Sequence, residues 1–253
     1  MRNIKTYWGL LILLLAGCQG NNEQEVLRIA VAANMSFSIV EIAHSFELEY
    51  DIKVEISTAS SGMLSSQIIN GAPFDVFISA NMDYPLELYN QELASAPKVY
   101  AFGKIIMAVP LEIGLAATWQ ELLLSDEVKR IAMANPASAP YGIATLKALN
   151  KDGIYESLMS KMVLGESVAQ VNQYLKTGSV DVAFTSNAFE ANFKADYTYY
   201  EISSHLYQPI KQGVSIIKQK SNKHKAASEL FINYLRSETC KTILLNHGFS
   251  IND

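Results

Sequence analysis

Four short stretches of small, mostly polar residues stand where a predicted strand ends and a predicted helix begins. They are residues 32–36 (Ala-Ala-Asn-Met-Ser), 59–62 (Ala-Ser-Ser-Gly), 139–142 (Ala-Pro-Tyr-Gly) and 166–168 (Glu-Ser-Val). A helix N-terminus leaves backbone N–H groups unpaired and carries roughly half a positive charge, so four facing one point amount to about +2. With hydroxyl and amide donors added, that point suits a dianion without any Lys or Arg. Taken singly, each stretch is also what an ordinary capped helix requires.

Motifs for catalysis are missing from the sequence. It has no Gly-rich dinucleotide fingerprint, no phosphate-binding P-loop and no His-Glu-x-x-His zinc motif. Ser61 is the one candidate nucleophile, but Ser60-Ser61-Gly62 does not form a nucleophile elbow, and no His lies in any of the four stretches. The histidines have no metal-ligand spacing: His44, His205, His224 and His247. We therefore expect a binding protein and not an enzyme.

Composition sets the class of protein. The chain has 253 residues, of which 49% are hydrophobic and 18% charged, with a formal net charge of −5. This length and composition exclude a disordered chain and suit two lobes of about 100 residues each. No basic stripe indicates nucleic-acid binding. Two cysteines, Cys18 and Cys240, exclude a disulfide framework, and Cys240 is expected to be a buried structural thiol on a helix.

The first 17 residues have the pattern of a bacterial lipoprotein signal peptide. Arg2 and Lys5 precede an apolar run, residues 7–16, that is too short to span a bilayer as a helix. The run ends in Leu15-Ala16-Gly17-Cys18, which resembles a lipobox. We predict that Cys18 carries lipid, that residues 18–25 form a flexible tether, and that the protein is anchored outside the cytoplasm, in the periplasm or on the cell surface. The alternative is an ordinary signal peptide with an incidental Cys.

Alternating strands and helices position the four stretches. A helix with apolar residues from Phe37 to Tyr50, capped by a Ser38 and Glu41 pair or by Ser36, follows the first strand. Further capping pairs are Thr118 with Glu121 and Ser167 with Gln170, and Ser237 starts the last helix, which ends at Gly248. Strands are predicted at residues 26–32, 52–57, 75–79, 130–134, 180–185, 197–202 and 213–217.

The order of these elements predicts two α/β lobes, each with a mostly parallel sheet flanked by helices. A long β-favouring run, residues 98–110, is broken by Gly103 and crosses between the lobes. We assign residues 26–103 and 208–253 to lobe 1 and residues 104–207 to lobe 2. Ligands of such sheets bind at the carboxyl ends of the strands, which places the four stretches in the cleft between the lobes.

At these stretches the sequence resembles the periplasmic molybdate-binding proteins of ABC transporters, over nearly the whole mature chain. The strongest match is the run from Gln67 to Ala80, which contains Gly-Ala-Pro-Phe-Asp-Val-Phe-Ile-Ser-Ala. Residues 29–34, 59–64, 135–136, 139–142 and 248–249 also match. The resemblance implies a two-lobed class II solute-binding fold that closes on a tetrahedral oxyanion.

The resemblance also implies which residues hold the oxyanion. The ligand positions fall on Asn34, Ser61, Tyr141 and the backbone N–H of Val168, with Ser60 as a possible wall. A fifth position, commonly a Tyr hydroxyl in the family, falls on Phe184, which has no donor and is expected to form a wall, so Tyr141 supplies the hydroxyl instead. Molybdenum is then held only as molybdate, without direct coordination by a side chain, and no cofactor is expected.

The function implied is capture of molybdate or tungstate and delivery to an ABC permease in the membrane, by a protein expected to be a monomer. A pocket of donors alone favours a fully deprotonated oxyanion over hydrogen phosphate, whose O–H needs an acceptor. Three alternatives stay open at this stage. The chain could bind another anion such as sulfate or phosphate, act as an extracytoplasmic enzyme with Ser61 as nucleophile, or serve as a sensor lobe.

Overall fold

The computed structural model describes residues 26–219 and 224–251, and the predicted signal peptide, lipidation site and tether lie outside this range. The strands are β1 Val26–Ala32, β2 Lys53–Ala59, β3 Val76–Ser79, β4 Lys98–Gly103, β5 Ile105–Pro110, β6 Ile131–Ala134, β7 Met162–Gly165, β8 Val182–Ser186, β9 Tyr197–Glu201 and β10 Ile210–Ile216. They form two five-stranded sheets, in the orders β2-β1-β3-β10-β4 and β7-β6-β8-β5-β9.

Helices flank both sheets. They are α1 Ser38–Tyr50, α2 Ser61–Ile69, α3 Asp83–Asn90, α4 Trp119–Leu124, α5 Pro140–Lys151, α6 Tyr155–Leu158, α7 Val168–Lys176, α8 Asn187–Phe193, α9 Lys225–Tyr234 and α10 Glu238–Asn246. Short 3-10 turns occupy Ala33–Met35, Met159–Lys161 and Ser204–Leu206. Among the described residues, none of the helices is both long and apolar enough to cross a bilayer.

The two-lobed α/β architecture is confirmed, with mixed sheets in place of mostly parallel ones. In each sheet three strands run parallel, β2-β1-β3 and β7-β6-β8. The remaining strands pair antiparallel: β10 lies between β3 and β4 in the first sheet, and β5 lies between β8 and β9 in the second. One crossing joins β4 directly to β5 past Gly103 and Lys104, and the other joins β9 to β10.

Each lobe has its own core. In lobe 1, Leu27, Ile29 and Val31 of β1 face α1, α9 and α10, while Ala30 faces the opposite side with Leu64 of α2. This alternation follows from the two-residue period of a strand. Because both faces are buried, β1 is apolar apart from the exposed Arg28, and its carboxyl end, Ala32, lies at the cleft. Cys240 lies fully buried in this core, where burial raises its pKa to about 12.

Local capping signals were predicted correctly except at α1. Thr118 and Glu121 form the capping box of α4, Ser167 accepts from the Gln170 N–H, and Ser237 accepts from the Cys240 N–H. The predicted cap of α1 is wrong. The Ser36 hydroxyl donates to the Ala33 carbonyl at 2.6 Å and the Ser38 hydroxyl donates to that of Met35 at 3.3 Å, because a 3-10 turn precedes α1 and offers these carbonyls.

Candidate functional site

A small cavity lies between the two lobes at the carboxyl ends of the strands. Its internal volume is about 10 Å³, roughly the space of one water molecule. Its lining residues come from both lobes and carry no charged side chain: Ala32, Ala33, Asn34, Ser60, Ser61, Ala80, Ala139, Pro140, Tyr141 and Val168. All of the predicted ligand positions are therefore brought together, and Asn34, Ser61, Tyr141 and Val168 are each less than 5% exposed. The lobes are closed over the cavity.

Three α-helices begin at the cavity. Ser61 is the first residue of α2, Tyr141 the second of α5 and Val168 the first of α7. The backbone N–H groups in such first turns have no partner inside their own helix. The expectation of four helix starts is wrong at the first stretch, because Asn34 lies in a 3-10 turn and α1 begins only at Ser38. Three helix N-termini give about +1.5 at roughly half a charge each.

The two serines at the start of α2 both present hydroxyls. The Ser61 Oγ accepts from the Ala80 N–H at 2.9 Å, which leaves its own hydrogen free to donate. The Ser60 Oγ is buried and has no hydrogen-bond partner among the described residues. Ser60 is the N-cap residue of α2, yet its hydroxyl does not cap the helix. Since an unpaired buried hydroxyl costs stability, a ligand oxygen is the natural acceptor for both serines.

The side chain of Asn34 is hydrogen-bonded to Gln212, a residue that the sequence analysis did not identify. Its side-chain Nδ2 donates to the Oε1 of Gln212 at 2.9 Å, across 178 residues of chain. The Asn34 Oδ1 is buried without a partner among the described residues. Apart from hydroxyl oxygens, this neutral amide oxygen is the one side-chain acceptor among the residues that line the cavity. The signal that could have identified Gln212 is its position as an amide within the largely buried strand β10, where a polar side chain needs partners.

The Tyr141 hydroxyl crosses from lobe 2 to the segment that joins the lobes. A Cβ at Gly103 would overlap with it, so the glycine leaves room for the ring to reach lobe 1. Burial raises the pKa of Tyr141, and the nearby amides of Asn34 and Gln212 lower it by less. The hydroxyl therefore stays protonated. Although both amides are close, neither meets hydrogen-bond geometry with it, and among the described residues the hydroxyl has no partner.

Comparison with known proteins identifies the family. The family model described as bacterial extracellular solute-binding protein matches residues 27–250. The chain belongs to this solute-binding family. The molybdate-binding protein ModA of Azotobacter vinelandii is 31% identical over 231 residues, covering 89% of this chain and 90% of ModA. The resemblance to periplasmic molybdate-binding proteins is thus confirmed.

Two further matches of this solute-binding protein extend over nearly its whole length. A putative ABC transporter substrate-binding lipoprotein of Bacillus subtilis, YvgL, is 29% identical and covers 94% of each chain. The solved structure of the periplasmic molybdate-binding protein of Azotobacter vinelandii superposes with a TM-score of 0.83 at 28% identity. That match covers 90% of this chain and all of the other.

The structure places Phe184 away from the cavity of this solute-binding protein. Its side chain packs in the core of lobe 2, with the ring of Trp119 edge-on at 6.0 Å between centroids. Phe184 is not among the residues that line the cavity, and the expected wall is corrected accordingly. The reason is the alternation of side chains in β8, where Phe184 points to the α4 side of the sheet. Ser60, the other residue expected to form a wall, does line the cavity.

Catalysis by Ser61 has no support in the geometry. No His, Asp, Glu or Lys lines the cavity, so no base faces the Ser61 hydroxyl there. Across the described parts of the chain, no three His, Cys, Asp or Glu side chains cluster to hold a metal ion. The matching family and the relatives compared above are solute-binding proteins, not enzymes.

Proposed function

We propose that this protein captures molybdate or tungstate in its interlobe cavity and delivers it to an ABC permease. One observation carries the proposal. The closed cavity has no charged side chain, yet the starts of three helices and the hydroxyls of Ser60, Ser61 and Tyr141 meet there. Two of these hydroxyls are buried without an acceptor among the described residues. A dianion supplies the acceptors and the negative charge that this arrangement requires.

The choice of molybdate over other anions draws on the relatives. ModA of Azotobacter vinelandii is a molybdate-binding protein, and the solved periplasmic molybdate-binding protein of that organism shares the two-lobed fold. Tungstate is also a tetrahedral dianion, so the same donors serve both. Hydrogen phosphate is disfavoured because its O–H needs an acceptor, and the side chains at the cavity offer only the Asn34 amide oxygen beyond hydroxyls.

The membrane anchor and the permease follow from the same proposal. The Leu15-Ala16-Gly17-Cys18 run is a lipobox pattern, and the relative from Bacillus subtilis is described as an ABC transporter substrate-binding lipoprotein. A lipidated Cys18 keeps the receptor at the membrane that carries its permease. The seven residues from Gln19 to Glu25 reach at most about 25 Å when fully extended, which holds the cleft close to the membrane surface.

Thermal unfolding in the presence of anions tests the proposed ligand. A ligand that binds only the folded protein stabilises it by about 2.7 kcal/mol at a concentration 100 times its dissociation constant. We expect molybdate and tungstate to raise the melting temperature at micromolar concentrations, and sulfate and phosphate to do so only at far higher ones. A shift with phosphate and none with molybdate would reject the proposal.

A further inference from the structure

Gln212 is fully buried on β10, between the cleft and the segments that join the lobes. The register between β10 and β4 shifts at Gln212 and Gly213, and such a bulge redirects side chains locally. The cavity-lining set does not include Gln212, so it does not touch the anion. A buried amide is costly unless its hydrogen bonds are made, so its partners show what it does there.

Both ends of the Gln212 amide have partners, and this fixes its orientation. Its Nε2 donates to the carbonyl of Ile210 at 3.0 Å, and its Oε1 accepts from the Nδ2 of Asn34 at 2.9 Å. A reversed amide would set Oε1 against the Ile210 carbonyl, two acceptors face to face. The Gln212 amide thereby also fixes which atom of Asn34 faces it, namely the nitrogen.

The same amide lies beside the Tyr141 hydroxyl. A Cβ built on Gly103 would lie 3.0 Å from the Gln212 Nε2 and would overlap with the Tyr141 hydroxyl, so these groups share one small space. Both amides lie close enough to Tyr141 to lower the pKa of its hydroxyl, although burial, which raises that pKa, outweighs them. The Tyr141 O–H has no acceptor among the described residues and is left to donate to a ligand.

We propose that Gln212 is a positioning residue, which fixes the Asn34 amide through one of its two N–H groups, so that the second N–H and the Tyr141 O–H are left to donate to the anion. This inference rests on the proposed anion-binding function. Gln212 acts only through its two neighbours, and its effect on binding therefore depends on their presence. A residue that merely fills space in β10 has no such dependence.

A double-mutant cycle measured by calorimetry with molybdate tests the proposal. The variants are Gln212→Met, which keeps the length of the side chain but removes its hydrogen bonds, Asn34→Ala, and the two combined. We expect Gln212→Met to weaken binding about 5- to 10-fold, the worth of one or two neutral hydrogen bonds. In the Asn34→Ala background the same change should weaken binding by less than about twofold, because the group it orients is gone.

Controls separate positioning from folding. Ser215→Ala removes another fully buried polar group from β10, outside the cavity, and should leave affinity unchanged. If Gln212→Met does not fold, Gln212→Asn keeps the amide but is too short to reach Asn34, and the same coupling is expected. Equal losses in both backgrounds, or wild-type affinity of the folded Gln212 variant, would overturn the proposal. A wild-type protein that binds no molybdate or tungstate instead overturns the proposed function itself.

Discussion

The backbone N–H of Gly62 in lobe 1 donates to the carbonyl oxygen of Ser138 in lobe 2 at 2.8 Å. Gly62 is the second residue of α2, so this N–H has no partner within its helix. A Cβ at position 62 would lie 2.8 Å from the Ser138 oxygen and 2.9 Å from its Cα. The glycine thus permits the two lobes to come together directly beside Ser61, and closure is coupled to the anion site.

Gly62→Ala should weaken anion binding by hindering closure. The methyl group meets backbone atoms, which cannot rotate away, and overpacking of this kind costs about 1–3 kcal/mol, or roughly 5- to 150-fold in affinity. The unliganded protein should melt no lower than wild type, because Ala is the better helix former. Calorimetry gives the affinity, and Ser66→Ala on the exposed side of α2 is the control. Wild-type affinity in Gly62→Ala would show that the lobes close differently around the ligand.

Ser61→Ala should weaken molybdate binding by roughly 10- to 150-fold, the equivalent of a hydrogen bond to a charged group at about 1.5–3 kcal/mol. The free hydrogen of the Ser61 hydroxyl is the donor that is lost. Ser65→Ala provides a matched control, since Ser65 is equally buried one turn further along α2 but does not line the cavity. An equal affinity for the two variants would remove the Ser61 hydroxyl from the site.

Tyr141→Phe should lower affinity while keeping the ring in place. Tyr100→Phe is the control, because Tyr100 also carries a buried hydroxyl without a partner among the described residues, but in the core of lobe 1. Loss of affinity in both variants alike would argue against a specific contact from Tyr141.

The pH dependence of wild-type binding follows from the protonation of Tyr141. Burial raises the pKa of its hydroxyl above the ordinary value near 10, so the donor is retained throughout about pH 6–9. The contribution of Tyr141 to folding stability is likewise constant below about pH 10. Above that pH it falls, because the Tyr141 hydroxyl loses its proton in the unfolded chain before it does so in the folded protein. Affinity measured by calorimetry at several pH values should show no decline assignable to this residue in that range. A midpoint below about pH 9 that disappears in Tyr141→Phe would contradict this assignment.

Cys18→Ser should release the protein from the membrane. Lipid-modified cysteine is the predicted anchor, and several acyl chains bind a membrane stably where a single chain does so only marginally. Fractionation of the native host should find wild type with the membranes and the variant in the soluble fraction. The variant should keep wild-type affinity for molybdate, because the described cavity involves no residue near the N-terminus. Equal distribution of both proteins would favour an ordinary signal peptide.

Much of the fold was predictable because its signals are local. The β1 strand was assigned with its observed limits, Val26–Ala32, and Gly248 has the positive φ of 82° that a helix-ending glycine adopts. Elements with weak local signals are not predicted by the sequence, such as α3, whose Pro85 is tolerated because it lies in the first turn.

The parts of the site that were not predictable depend on tertiary structure. Phe184 and Thr185 are adjacent in β8, and only the packed sheet decides which of them faces Trp119. Gln212 reaches Asn34 only because β10 returns to lobe 1 late in the chain and lies between β3 and β4. Near Asn34, the hydroxyls of Ser36 and Ser38 donate to carbonyls of the 3-10 turn instead of capping α1. The sequence pattern does not decide between these two arrangements.

Isothermal titration calorimetry of the wild-type protein with molybdate tests the central claim most directly. Tungstate, sulfate and phosphate are titrated alongside under the same conditions. The account predicts one molybdate or tungstate bound per chain, with much weaker binding of sulfate and phosphate. Clear heat of binding with phosphate and none with molybdate or tungstate would contradict it.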